Sequence, residues 1–234
     1  MKSSSHLKNT GYHFVVGIDE VGRGPVAGPV SVCGFVVMGE GKLRKISMGN
    51  HIEISRSKIE HLIFPDGLVC DSKKLSKKKR GDISEKLHLL KKENRVFFHI
   101  AERTAKEIDE RGISLCLREC VTEILEHIEK SVFTDKEHMH ILLDGALHAP
   151  TTYIYQETIV KGDEKIAEIA MASIIAKVYR DAYMEKQSFI YKDYGFDHNA
   201  GYLTKKHSKA IEKYGICPLH RKSFLKNIII NNGK

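Results

Sequence analysis

The sequence predicts a mixed α/β sheet flanked by helices, with a small helical region at the C-terminal end. Three observations lead there. Short apolar, β-branched runs come first, at 14–18 and 30–38. Helical and strand-like patterns then alternate from Ser76 to Gln187. Beyond Tyr194 only helical patterns remain.

The elements follow in order. Residues 14–18 read as a buried strand ending on Asp19 and Glu20, and VSVCGFVVM at 30–38 as its partner across a Gly/Pro connection. Residues 39–66 are polar with weak periodicity, an irregular insertion with a short helix near 55–63. A helix starts at Ser76 with Ile83, Leu87 and Leu90 on one face, and RVFFHIAE at 95–102 is a strand. The clearest amphipathic helix spans 113–130, its stripe built from Leu117, Val121, Ile124, Leu125 and Ile128. HILLDG at 140–145 is a short buried strand ending on Asp144, and TYIYQETIV alternates as another. A long helix is predicted from Asp163 to Gln187, then two more within 201–215 and 220–230.

The chain has 234 residues and a formal net charge of +8, which suits a polyanionic partner. The charge is uneven: residues 71–95 carry ten Lys/Arg against four Asp/Glu, and 201–226 carry seven against one. Residues 101–170 run the other way, eight basic against fifteen acidic. Either basic run alone is read most simply as a solvated face. Two of them beside a carboxylate constellation favour nucleic acid. Five cysteines without a disulfide pattern fit reduced thiols in a cytosol, and Cys116 and Cys120, one helical turn apart, fit core packing better than a zinc site. No apolar run reaches the roughly 20 residues of a membrane span. The first dozen residues lack a signal-type apolar stretch and read as a loose extension.

The stretch GIDEVGRGPVAGPV, 17–30, holds four glycines and two prolines in fourteen residues, directly around two acids. Its GxGxxxG spacing and Pro25 do not fit a dinucleotide-binding turn, and no GxxxxGK[ST] loop occurs. Metal chemistry fits better. Asp19 and Glu20 close one strand, Asp144 closes another, and Asp163 opens a helix. Converging buried carboxylates need a cation, and hard oxygen donors select Mg²⁺ or Mn²⁺. Two such ions about 3.5–4 Å apart hold a phosphodiester, activate water and stabilise the leaving oxygen. Adjacent strand residues face opposite ways, so Asp19 and Glu20 share one site only if the strand bends or ends there. Plainer readings stand beside this: Asp163 as a helix N-cap, Asp144 as a turn residue, and Asp181 as partner of a nearby cation.

Beyond spacing, the chain resembles the ribonuclease HII family from about 14 to 226. The blocks that carry the resemblance are GIDEVGRGPVAGPV, DSKKLSKKKR, LLDG, IVKGDEKIAEIAMASIIAKVYRD, GYLTKKH and HRKSF, in that order. The resemblance implies a ribonuclease H-like mixed sheet: an extension at 1–13, a catalytic domain at 14–194 and a helical region at 195–234 that completes the substrate cleft. It implies Asp19, Glu20, Asp144 and Asp163 as ligands of two Mn²⁺ or Mg²⁺ ions, with Asp19 and Asp144 central. The Gly22-Arg23-Gly24 turn would lie against the minor groove beside a ribose 2′-hydroxyl, where a side chain would block the approach. Tyr202 would stack on the deoxyribose just past the junction. Lys73, Lys74, Lys205, Lys206 and Arg221 fall at basic positions assigned to phosphate contact. His207 and His220 are open between proton transfer, phosphate contact and a structural role.

The implied activity is hydrolysis of the RNA strand of RNA–DNA hybrids and incision of DNA 5′ of an embedded ribonucleotide, leaving 5′-phosphate and 3′-hydroxyl ends. A cytoplasmic monomer without a membrane partner is expected. The chain departs from the family pattern in its longer 39–66 segment, in Leu203 where glycine is common, and in Met171 in place of alanine. Leu203 raises the alternative of an enzyme narrowed to long hybrids. A non-catalytic binding module on the same fold would have lost an acid, and none is missing.

Overall fold

The first apolar run becomes the spine of the molecule because it is hydrogen-bonded on both sides. In the computed structural model, which describes residues 12–38, 43–45, 58–64, 72, 74–132 and 134–225, β1 spans Tyr12–Val21 and β2 Val30–Val37. Their antiparallel register runs from Val16↔Val36 to Val21↔Ser31. β3, Leu43–Lys45, pairs antiparallel with the start of β1. β4, Val96–Arg103, pairs antiparallel with β2. β5, Met139–Asp144, lies parallel to β1, and β6, Gln156–Ile159, lies parallel to β5. The order is β4-β2-β1-β5-β6. The mixed sheet expected from the sequence is present.

Alternation along the strands divides the core into two layers. Phe14, Val16 and Ile18 of β1, with Ile141 and Leu143 of β5, pack on α4, Ile113–Val132, through Val121, Ile124 and Leu125. Cys116 and Cys120 are buried in this layer, as core packing requires. The opposite face carries α2, Lys77–Lys92, and α5, Ala167–Ile190, packed on Phe35, Val37 and Phe98. Ser76 caps α2, its side chain accepting from the Lys79 N–H. Small residues let α5 come close to the sheet. A Cβ on Gly17 would lie 2.2 Å from the Glu168 carbonyl carbon, so only glycine admits the helix there. Met171 is fully buried in this layer, where the core accommodates the larger side chain.

Three boundaries differ from the sequence expectation, and each difference has a local cause. β1 continues through both acids to Val21, because β2 pairs with it that far. β6 is short because a turn at Pro150, closed by the Tyr153 N–H on its carbonyl, occupies the preceding residues. The long helix starts at Ala167, not Asp163. Asp163 sits in a separate 3₁₀ turn, Gly162–Glu164, and Ile166 occupies the N-cap without a side-chain cap bond. The N-cap reading of Asp163 is therefore corrected. Two short helices had no clear apolar period: α3, Ala105–Arg111, defined by a Thr104/Glu107 capping box, and α6, Phe196–Asn199. Of the 39–66 insertion, β3, α1 (Lys58–Ile63) and Phe64 are described and the rest lies outside the described residues. α7, Lys205–Tyr214, is capped by Thr204, and residues 222–225 are helical. Among the described residues no helix is long and apolar enough to cross a membrane.

Candidate active site

The parallel pairing of β1 with β5 determines where the acids lie. Ile18 faces Leu143 across the ladder, so Asp19 and Asp144 come next on neighbouring strands. Both continue the series that faces α5: Val15 and Gly17 precede Asp19, and Leu142 precedes Asp144. Asp163 arrives from the turn after β6. Lys161 takes a left-handed conformation, φ 55°, which reverses the chain so that the Gly162 N–H donates to Asp144 Oδ1 at 2.6 Å. Asp163 is the next residue and is buried.

Glu20 reaches the group differently. Strand alternation starts its side chain on the opposite face from Asp19, yet its carboxylate stays within electrostatic range of Asp19 and Asp144. Its Oε1 lies 3.5 Å from Arg23 Nη1, while its Oε2 is buried without a hydrogen-bond partner.

The electrostatics bind the set together. Burial pushes the Asp19 carboxyl from an ordinary 3.8 up to about 8; a Ser173 hydrogen bond opposes this, and the charges of Asp144 and Glu20 add to it. Ser173 is in turn held by Ser72, hydroxyl to hydroxyl at 2.9 Å. Glu20 is also raised, first by burial, with Arg23 opposing and Asp144 adding. Among the described residues, no three His, Cys, Asp or Glu side chains stand close enough to chelate an ion as they are placed. The donor set nonetheless fits a hard divalent cation. It is all oxygen, mutually repelling, and includes a buried carboxylate oxygen with nothing bonded to it.

The turn beside the acids is fastened from below by two arginines, each fully buried. Arg221 donates to the carbonyls of Gly22 at 2.6 Å, Arg23 at 3.1 Å and Gly28 at 3.0 Å. This corrects the phosphate-contact expectation for Arg221, whose guanidinium is spent on backbone carbonyls and cannot reach a ligand. Arg180 donates to Pro29, Ala27 and Ala200 at 2.9, 3.1 and 2.9 Å. Burial lowers both guanidiniums, Arg221 to about 9, with Arg180's charge adding to the effect. Gly22 has φ +85°, and a Cβ there would sit 2.2 Å from Arg180 Nε. Glycine at 22 is thus required by the clamp as well as by the backbone.

Tyr202 stands at the mouth of this turn, half exposed, its Cε1 3.7 Å from where a Cβ on Gly24 would be. Leu203 takes none of the positive φ values in this segment; those fall on Ala200 and Gly201. A non-glycine residue at 203 therefore imposes no backbone strain. Arg23, Lys205 and Lys206 are exposed, and Lys74 is exposed and paired with Glu164 at 3.3 Å. Lys73 lies outside the described residues. Asp181 pairs with Lys177 at 2.7 Å and Arg80 at 3.9 Å, as its plainer reading predicts. His207 and His220 are buried and bonded to each other, which excludes direct phosphate contact.

A profile of the family described as Ribonuclease HII matches this chain at residues 16–65 and 57–227. The chain belongs to the ribonuclease HII family. It is 39% identical over 221 residues to a curated Ribonuclease HII of Helicobacter pylori strain P12, covering 93% of this chain and 95% of that protein. The ribonuclease H2 of Pyrococcus horikoshii OT3 superposes with a TM-score of 0.65 at 25% identity, covering 94% of this chain and 99% of its own. Bst-RNase HIII, solved in complex with Mn²⁺, shares the fold at a TM-score of 0.58 and 14% identity, over 96% of this chain and 68% of its own. Membership makes the chain an RNase H-type endonuclease.

Two site-supporting residues, Arg180 and Ser173, escape the sequence reading, as does the role of Arg221. Arg180 occupies an apolar stripe position of α5, with Ala176 four residues before and Met184 four after; that placement was the available signal. Ser173 lies on the same stripe, two turns before Arg180. Nothing in HRKSF separates a buried Arg221 from the exposed Lys222 beside it.

Proposed function

We propose that this ribonuclease HII family member hydrolyses the RNA strand of RNA–DNA hybrids and incises DNA 5′ of an embedded ribonucleotide, leaving 5′-phosphate and 3′-hydroxyl ends. The observation that carries the proposal is the coupled group Asp19, Glu20 and Asp144, set one turn away from a clamped glycine loop and an exposed tyrosine ring. Asp19 and Asp144 would be the central ligands of Mn²⁺ or Mg²⁺, with Glu20 and Asp163 completing the set. When bound, two such ions supply Lewis acidity and activate a water. The residues do the rest. The neighbouring strands β1 and β5 carry Asp19, Glu20 and Asp144, Gly162 orients Asp144, and Ser173 orients Asp19.

Selectivity falls to the Gly22-Arg23-Gly24 turn, which has no side chain at either end to bar backbone approach to a 2′-hydroxyl. Tyr202 offers its ring face to the next deoxyribose. Lys74, Lys205 and Lys206 would contact phosphates, and the region 195–234 would complete the cleft. We place the enzyme in the cytoplasm as a monomer acting on RNA–DNA hybrids and on ribonucleotide-containing DNA.

The test is cleavage of a DNA duplex bearing one ribonucleotide, with Mn²⁺ or Mg²⁺, by the native chain and by Asp144→Asn. A nick 5′ of the ribonucleotide that the variant loses is the expected result. An uncut duplex alongside a cut hybrid refutes single-ribonucleotide incision, and failure on both refutes the catalytic reading.

A further inference from the structure

The two elements assigned to sugar reading come from opposite ends of the chain, the glycine turn at 22–24 and Tyr202, yet two consecutive residues hold both. His220 and Arg221 sit on a strap that runs beside the turn. The Gly28 N–H donates to Leu219 O at 2.8 Å, the Arg221 N–H donates to Val26 O at 2.8 Å, and Ala27 forms an isolated bridge with His220. From this strap Arg221 reaches the Gly22 and Arg23 carbonyls.

His220 reaches the other way. The Cys217 N–H donates to His220 Nδ1 at 2.9 Å, so that nitrogen carries a lone pair and the proton sits on Nε2. His220 Nε2–H then donates to His207 Nε2 at 3.0 Å. This leaves the His207 proton on Nδ1, donating to the Tyr202 carbonyl at 2.8 Å. The chain of bonds has one sense and ends on the tyrosine. Tyr194 and Phe196 pack edge-on against the His207 ring and hold it in place.

We propose that His207, His220 and Arg221 are positioning residues that act as a gauge, fixing the distance between the glycine turn and Tyr202 and so determining selectivity for a single ribonucleotide within DNA. The proposal rests on the sugar-reading role proposed above. None of the three touches the substrate. A long hybrid presents ribose at every position and has no deoxyribose for Tyr202 to meet next to the cut, so it depends less on that distance. An ångström-scale misplacement of a positioning group costs on the order of a hundredfold in rate.

The experiment measures kcat/KM on a duplex with one ribonucleotide and on a long hybrid, for the native chain, Arg221→Lys and His207→Phe. Lysine keeps the charge but loses the fork that spans three carbonyls. Phenylalanine keeps the ring but breaks the relay. The expected result is a fall of about tenfold or more in the ratio of the two activities in each variant. Loss of folded protein lowers both activities by one factor and leaves the ratio alone, so a merely structural role does not produce this result. Should Arg221→Lys fail to fold, the ratio for His207→Phe decides. A native ratio in the variants, with the native enzyme nicking the single-ribonucleotide duplex, overturns the gauge and leaves the proposed function standing. If the native enzyme does not nick that duplex, the sugar-reading role fails and the gauge fails with it.

Discussion

Asp19 is costly to the fold, and replacing it should stabilise the molecule. The carboxyl is buried near the C-terminal end of the central strand β1, with its acid form favoured up to about 8 against an ordinary 3.8. Between those values the folded state binds a proton that the unfolded chain has released, so stability falls as pH rises across that window. Below the ordinary value both states are protonated and Asp19 contributes no pH dependence. At pH 7 the window has been crossed for about three units, which sets a ceiling of about 4 kcal/mol. Asp19→Asn removes the charge, keeps an oxygen able to accept the Glu20 N–H bond of 2.7 Å, and should gain about 1–3 kcal/mol at pH 7 in chelator. Urea denaturation of both proteins at pH 5 and pH 8 measures it. The gain should be larger at pH 8, and activity should be lost. A variant that is less stable, or whose gain is the same at both pH values, refutes the reasoning: the carboxylate would then be stabilised by a partner that burial and the neighbouring acids do not outweigh.

Three further outcomes are expected. Gly17→Ala drives a methyl to 2.2 Å from the Glu168 backbone and displaces α5, which should cost about 1–3 kcal/mol or more by denaturation. Tyr202→Ala removes a half-exposed stacking face; base-type stacking is worth about 1–3 kcal/mol, so single-ribonucleotide incision should fall by roughly tenfold or more relative to hybrid cleavage in a gel assay. Lys205→Ala with Lys206→Ala should reduce the slope of log affinity against log salt by nearly one unit per lost phosphate contact, read by fluorescence anisotropy on a hybrid with the inactive Asp144→Asn background.

The sequence showed what hydrophobic period and chain order encode. The β1–β2 hairpin, the α4 stripe and the ending of β5 on Asp144 all produce patterns within ten to twenty residues, and each is legible. What it could not show depends on contacts between distant segments. β1 extends past its acids because β2, not its own composition, supplies partners to Val21. Asp163 looks like a cap because GDEKIAEI is a good helix start, yet the extended backbone at Ile166 separates its 3₁₀ turn from α5. Arg221 falls at a basic position of the HRKSF block that the resemblance assigns to phosphate contact. Its burial follows from three carbonyls nearly two hundred residues away in sequence, which only the folded chain brings together.

The buried arginines also show how the fold divides its work. An unpaired buried charge is strongly unfavourable, and replacing it by an apolar residue is often neutral or better. Neither Arg180 nor Arg221 has a carboxylate on its guanidinium; both use carbonyl oxygens of the segment 22–29, and Arg180 adds Ala200. Those carbonyls belong to a turn too rich in glycine to hold a shape alone, since glycine loses the most backbone freedom on ordering. Five charge-assisted hydrogen bonds to it supply the rigidity that the turn's own sequence withholds, and a sixth ties Arg180 to Ala200. The turn is continuous with Glu20 through Val21, so a shift at Gly22 is a shift at an acid. A loop that must present bare backbone to a sugar cannot carry bulky side chains to brace itself. Under the proposed function, bracing from beneath by groups that never reach the substrate is the arrangement that keeps both the sugar-reading turn and the acid beside it in place.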